Sequence, residues 1–283
     1  MNPDSAYRTR RFPRLKGQMI DWLALAGRRH TMHALVELDV TDARRAIRER
    51  RARTNEPASF TGFLIACLAH AIDEDTGMQA MRKGRNRLVC FDDVDVTVAV
   101  ESDVEATKIP VPHIVRAANR KDVAQISREI RTAQVGDVPY ATGRRLLPIW
   151  LLLPGFVRRL VWTTWLADPA RRKRLTGTTF VTAVGMFGGG SGWGIPYGLN
   201  YPVGLTVGGI ARKPGVVGTG DDERVDVREY LSLTITIDHD VVDGAPAARF
   251  ATRLKDLVES AWSLAPDECA RLDHPLGEAR PSR

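Results

Sequence analysis

Cysteine is scarce, with Cys67, Cys90 and Cys269 the only three in 283 residues and far apart from one another. So few thiols cannot build the disulfide framework of a small secreted domain. Cys67 lies inside the apolar stretch FLIACLAHAI, where a reduced, buried thiol is the ordinary expectation. A reducing, cytoplasmic setting follows. The spacings CxxC and HExxH are missing too, and the pair His30 and His33 has no carboxylate at ligand spacing, so no metal is expected. No apolar run approaches the roughly 20 residues that cross a bilayer. The most hydrophobic segment, 146–166 (LLPIWLLLPGFVRRLVWTTWL), is divided by Pro148, Pro154, Gly155, Arg158 and Arg159. It reads as a helix buried against the core or a neighbouring subunit, with an interfacial helix or the apolar lip of an acyl channel as the alternative. Membrane contact through it is not expected. The opening residues MNPDSAYRTRRFPRLKG are basic but lack the apolar centre of a secretory signal.

What the chain does have is positive charge, +7 overall, and enough apolar content, 43%, to bury a large core. The charge favours anionic partners without choosing one. The basic runs ARRAIRERRAR (43–53) and ARRKR (170–174) carry no interleaved aromatics and read as solvated helix faces, so no nucleic acid is expected. GGGSGWG (188–194) lacks the Lys and Ser/Thr of a phosphate-binding loop and reads as a tight-turning loop. Period-two alternation marks strands at Ala34–Val40, Val94–Val100 and Leu231–Ile237, with two more at 178–184 and 203–210. Helical spacing runs through Phe60, Phe63, Leu64, Cys67, Leu68 and Ala71, through Val123, Ile126 and Ile130, and through Phe250, Leu254, Leu257, Val258, Ala261 and Trp262. Helices and strands mix without a repeat or a linker, the pattern of one α+β domain over 17–263. A flexible basic segment (1–16) and a polar tail (264–283) are expected to flank it.

The stretch DHDVVDG (238–244) stands where the strand LSLTITI meets the helix APAARFATRLKDLVESAW. Asp243 suits a helix N-cap with Pro246 in the first turn. Gly244 is suited to a backbone turn beneath His239. For His239 two readings stay open, an imidazole that closes a loop or a general base.

DHDVVDGAPAARF resembles the HxxxDG signature of the catalytic domain of the dihydrolipoamide acyltransferases of 2-oxo acid dehydrogenase complexes, a fold shared with chloramphenicol acetyltransferase. Other stretches resemble the family in its order: TMHALVELDVTDARRAI, FTGFLIACLAHAI, DDVDVTVAVES, IPVPHIVRAANRKDVAQISREI, GTTFVTAVGMFG and PVGLTVGGIARKP. The resemblance implies a two-layer sandwich of mixed sheet and helices, assembled as a trimer. It implies coenzyme A or acyl-coenzyme A as substrate. His239 would be the base that takes a proton from the attacking thiol or hydroxyl, because a thiol with a pKa near 8.5 is only a few per cent thiolate at neutral pH. Thr182 falls where the family carries the hydroxyl that donates to the tetrahedral oxyanion. Asp243 would hold the site's geometry.

The chain departs from the family in several ways. Neither a lipoyl domain before the catalytic region nor lipoate on this chain is expected, so a lipoyl-bearing or acyl-carrier protein would act in trans. Asp240 stands where relatives have Arg. The segment 138–175 is longer and more apolar, and the tail GEARPSR differs from the apolar end that joins trimers into cages, so a higher assembly beyond the homotrimer is left open. An acyltransferase is the expected function; a catalytically silent trimeric scaffold of the same fold is the alternative.

Overall fold

The computed structural model describes residues 8–9, 14–54, 57–104, 107–135, 150, 152–183 and 190–264. The segment 146–149, residue 151 and the polar tail from 265 onward lie outside them, as do residues 1–7 and 10–13 of the basic start. The helices are α1 (Arg14–Ala26), α2 (Thr41–Thr54), α3 (Phe60–Glu74), α4 (Val123–Val135), α5 (Gly155–Leu166), α6 (Pro169–Thr176) and α7 (Gly244–Glu259). The strands are β1 (Thr31–Asp39), β2 (Met81–Lys83), β3 (Arg87–Val89), β4 (Val96–Val104), β5 (Thr107–Val115), β6 (Thr179–Ala183), β7 (Val203–Val217) and β8 (Arg224–Asp238). Six strands form one mixed sheet in the order β1-β8-β7-β6-β4-β5, in which β6 runs parallel to both its neighbours and the other pairs are antiparallel. β2 and β3 make a separate hairpin. The α+β expectation holds.

Alternation in LSLTITI sorts the sheet into two faces. Leu231, Leu233, Ile235 and Ile237 join the core beneath α3 and α7, with Phe63, Leu64, Leu68, Leu254 and Val258. Ser59 caps α3 by accepting the Gly62 N–H at 2.9 Å, which is why the apolar run FTGFLIACLAHAI starts as a helix where it does. Burial drives the Cys67 thiol pKa upward, as expected of an inert core cysteine. On the opposite face Ser232, Thr234, Thr236 and Asp238 are also buried, and the Ser232 and Thr234 hydroxyls have no hydrogen-bond partner. The chain at 190–202 crosses near this part of the sheet. The Gly209 N–H donates to the Gly192 carbonyl at 3.0 Å, and a Cβ on Gly208 would lie 2.1 Å from that same oxygen. Only glycine admits so close a crossing.

Several elements exceed the sequence reading, among them α1 and the β2–β3 hairpin. IPVPHIV forms the edge strand β5, where Pro110 and Pro112 are tolerated because an edge leaves one row of N–H groups unpaired. β7 and β8 continue into a long hairpin whose Val216, Val225 and Val227 are exposed.

The described residues of the apolar segment, 150 and 152–166, are not buried within the chain, and α5 has no buried residue. One side packs on α1: Trp22 meets the edge of Trp162 at 5.7 Å, Trp150 meets Trp162 at 6.0 Å, and the buried Asp21 accepts from Arg158 Nε at 2.7 Å. The other side leaves Leu152, Phe156, Leu160 and Trp165 exposed. Core burial inside one chain is thereby corrected. The two arginines and the α1 seam hold the helix on the surface. Among the described residues no helix is long and apolar enough to cross a membrane.

Candidate active site at the end of strand β8

Strand β8 ends on a buried aspartate. Asp238 has no exposed surface, its N–H donates to the Pro202 carbonyl at 2.8 Å, and its carboxylate takes Arg29 Nη1 as an ion-pair partner. The N–H groups of Val241 and Val242 both reach the Asp238 carbonyl at 3.1 Å, closing a turn, and the buried Val242 pins that turn to the core. His239 is therefore lifted to the tip. Its N–H donates to the His30 carbonyl at 2.7 Å, fixing the backbone against the start of β1. Its ring is exposed and takes no hydrogen bond among the described residues.

Asp243 occupies the N-cap position of α7 with extended backbone (φ −78°, ψ 166°), but its side chain accepts no capping hydrogen bond. It is exposed, and no hydrogen bond joins it to His239. Gly244 begins α7 without positive φ, and a Cβ there would meet nothing within 4 Å. The turn beneath the histidine thus does not require glycine for its own geometry.

Thr182 lies on β6, half-buried, at the register of Thr206 on β7, which in turn faces Thr234 on β8. His239 comes five residues after Thr234 in the sequence. At ~3.3 Å per residue along a strand and ~4.8 Å between strands, register sets His239 and Thr182 about 19 Å apart within one chain. One chain does not bring them together.

The structure gathers a set of arginines, one of which, Arg172, the sequence reading left on a solvated face. Arg172, from the run ARRKR, is only 6% exposed and donates Nη2 to the Asn200 carbonyl, while Asn200 Nδ2 donates to the Trp22 carbonyl at 2.9 Å. Burial, with Arg29 nearby, lowers its pKa to about 9. The spacing of Pro169, Arg172 and Thr176 on one helix face was the available signal, obscured by four basic residues in a row. Arg29, Arg82, Arg172 and Asp240 share a cleft of about 360 Å³ next to the His239 turn. Asp240 takes His30 as partner, Nδ1 to Oδ1 at 2.8 Å. That hydrogen bond raises the His30 pKa and lowers that of Asp240.

The catalytic-domain model of the 2-oxoacid dehydrogenases acyltransferase family matches residues 12–136 and 164–265, a span that includes Thr182, His239 and Asp243. The chain belongs to this family. Among curated relatives, the lipoamide acyltransferase component of the branched-chain alpha-keto acid dehydrogenase complex of Bacillus subtilis is 26% identical over 238 residues, covering 80% of this chain and 46% of that protein. This acyltransferase-family chain thus spans less than half the length of that relative. A probable dihydrolipoamide acetyltransferase from Listeria monocytogenes superposes with a TM-score of 0.64 at 19% identity, covering 91% of this chain and 96% of the other. The cubic core of a pyruvate dehydrogenase multienzyme complex superposes with a TM-score of 0.62 at 17% identity, covering 93% and 97%. The shared fold is that of the family's core domain. The residues that the family model leaves unmatched, 137–163, contain most of α5.

Proposed function

We propose that this chain is a coenzyme A-dependent acyltransferase in which His239 is the general base and Thr182 of a neighbouring copy is the oxyanion donor. The observation that carries the reading is the exposed, uncommitted ring of His239 on a backbone fixed at both ends, within a span that matches the family's catalytic domain. A neutral imidazole takes the proton from an acceptor thiol. The thiolate then attacks the thioester carbonyl, forming the new C–S bond and a tetrahedral oxyanion that a hydroxyl donor stabilises. Collapse breaks the bond to the coenzyme A sulfur, and the imidazolium returns the proton to that leaving thiolate. Asp243 has no capping bond to give up, and its place in this scheme is to shape the turn that carries His239.

The separation of His239 and Thr182 within one chain supports a closed ring, here a homotrimer, in which each site is shared by two copies. Trp193, Ile195 and Tyr197, exposed in the segment next to the sheet's polar face, supply apolar surface for such contacts. Relatives named as components of dehydrogenase complexes make a lipoyl-bearing protein the natural acceptor in trans. The scaffold reading draws on one observation, Asp240 bound to His30 where relatives have Arg. Incubation with a panel of acyl-coenzyme A donors and free dihydrolipoamide, following free thiol and acyl product, separates the two. Transfer establishes the enzyme, and tight coenzyme A binding without turnover establishes the scaffold.

A further inference from the structure

The cleft beside the His239 turn has more cationic groups than its carboxylates can satisfy. Arg29 is occupied by the buried Asp238, and Asp240, the one carboxylate on the lining, is occupied by His30. The side chains of Arg28 and Arg82 also line the cleft and make no hydrogen bond or ion-pair contact with a described residue, although the charge of Arg82 also acts on Asp240. Arg172 is buried yet spends its hydrogen bond on a neutral carbonyl. A guanidinium taken out of water without a carboxylate in contact is costly, and its planar fork of donors matches a bidentate oxyanion. The remaining walls, Leu25, Leu166 and Ala167, are apolar. A volume of about 360 Å³ is at the small end for ligand sites, enough for a short aliphatic chain and its head group.

Position bears on which part of a substrate reaches it. Asp240, a lining residue, follows His239 directly in the sequence, so the cleft lies beside the turn that carries the proposed base. The nucleotide phosphates of coenzyme A are held away from the sulfur by the whole pantetheine arm. We propose that the cleft binds the terminal carboxylate of the acyl group through Arg82 and Arg172, making the chain selective for ω-carboxyacyl thioesters over neutral acyl thioesters of equal length. α5 supplies part of this cleft through Thr163, the last unmatched residue, and Leu166, which lies within the matched span.

The proposal rests on the acyltransferase reading, so its test measures binding separately from turnover. Glutaryl-pantetheine and valeryl-pantetheine have five-carbon acyl groups with and without a carboxylate, and neither carries a nucleotide. Isothermal titration of the full chain should show the glutaryl thioester binding at least about tenfold more tightly. Arg82→Gln and Arg172→Gln should remove that preference and leave valeryl affinity unchanged. Arg82 is exposed, so its substitution keeps the test valid even if loss of the buried Arg172 impairs folding. Equal affinity of wild type for the two thioesters, or a preference that persists in Arg82→Gln, overturns the proposal. So does an Arg82-dependent site that takes inorganic phosphate but does not distinguish the thioesters. A binding preference without transfer upholds the cleft and removes the acyltransferase reading, whereas transfer without a preference removes the cleft alone.

Discussion

His239 and His30 are joined through the backbone, the His239 N–H donating to the His30 carbonyl at 2.7 Å one step beyond the pairing of Thr31 with Asp238. The ring of His30 lies against the carboxylate of Asp240, the residue that follows His239. The turn carrying the proposed base is therefore held on both sides by one residue, once by main chain and once by a titratable side chain. Its hold on the turn depends on pH.

The hydrogen bond to Asp240 lifts the His30 pKa above its ordinary 6.5, and the same bond holds the Asp240 pKa below its ordinary 3.8. A raised histidine contributes fully below 6.5 and loses its contribution as pH rises through the folded-state value. A lowered aspartate contributes above 3.8 and loses its part as pH falls through its own folded-state value. The pair is complete between those ordinary values and is released on the alkaline side. An NMR titration should place the His30 imidazole above 6.5 in the wild type and back towards it in Asp240→Asn. An unchanged titration in that variant would show that the contact does not form in solution.

His239→Ala should lower turnover by about 10²–10⁴-fold, the range for loss of a general base. Thr182→Ala should lower it by about 10²–10³-fold. His239 is exposed, so removing its ring should change unfolding free energy by no more than about 0.5 kcal/mol. Steady-state kinetics on an accepted acyl donor, with thermal unfolding alongside, checks all three. Wild-type turnover in both variants would leave the mechanism without its residues.

Two glycines should behave in opposite ways. Gly208→Ala forces a Cβ to within 2.1 Å of the Gly192 carbonyl and 2.6 Å of the Ser232 carbonyl, both backbone groups that cannot swing aside. A cost of about 1–3 kcal/mol is expected. Gly244→Ala places its methyl in open space and should be neutral to unfolding. If Gly244→Ala instead lowers turnover at full stability, the open space is occupied in the working protein by substrate or by another copy. Equilibrium urea unfolding of the two variants makes the comparison.

The junction of β8 and α7 was legible because a strict change of period, two before Asp238 and 3.6 after Gly244, brackets the turn. α3 and α4 were legible for the same reason. β5 was not, since Pro110 and Pro112 argue against a strand unless its edge position is already known. Burial of Arg172 was hidden by composition: a run of basic residues reads as solvated, and only packing against Asn200 shows otherwise. The distance between His239 and Thr182 is a property of strand order, with β7 lying between β8 and β6, and no local pattern encodes it.

That distance leads to the most demanding prediction. If about 19 Å separates the two groups within a chain, a working site needs the Thr182 of another copy, because a donor must lie within about 3 Å of the developing oxyanion. A closed ring would supply it by symmetry, each His239 meeting the hydroxyl of the next subunit. Subunits of His239→Ala and of Thr182→Ala should each be nearly inactive alone. Co-refolded in equal amounts, they should regenerate activity, because a site formed between a Thr182→Ala subunit giving His239 and a His239→Ala subunit giving Thr182 contains both intact groups. Under random assembly about one site in four has that combination. The mixture should therefore recover about a quarter of wild-type turnover per site, and sedimentation should report a trimer. Recovery no greater than the sum of the two inactive proteins, with subunit exchange shown by mass-tagged chains, would mean that the oxyanion donor lies in the same chain as His239. The nearer hydroxyls of β8, beginning with Thr236, would then be the side chains to replace.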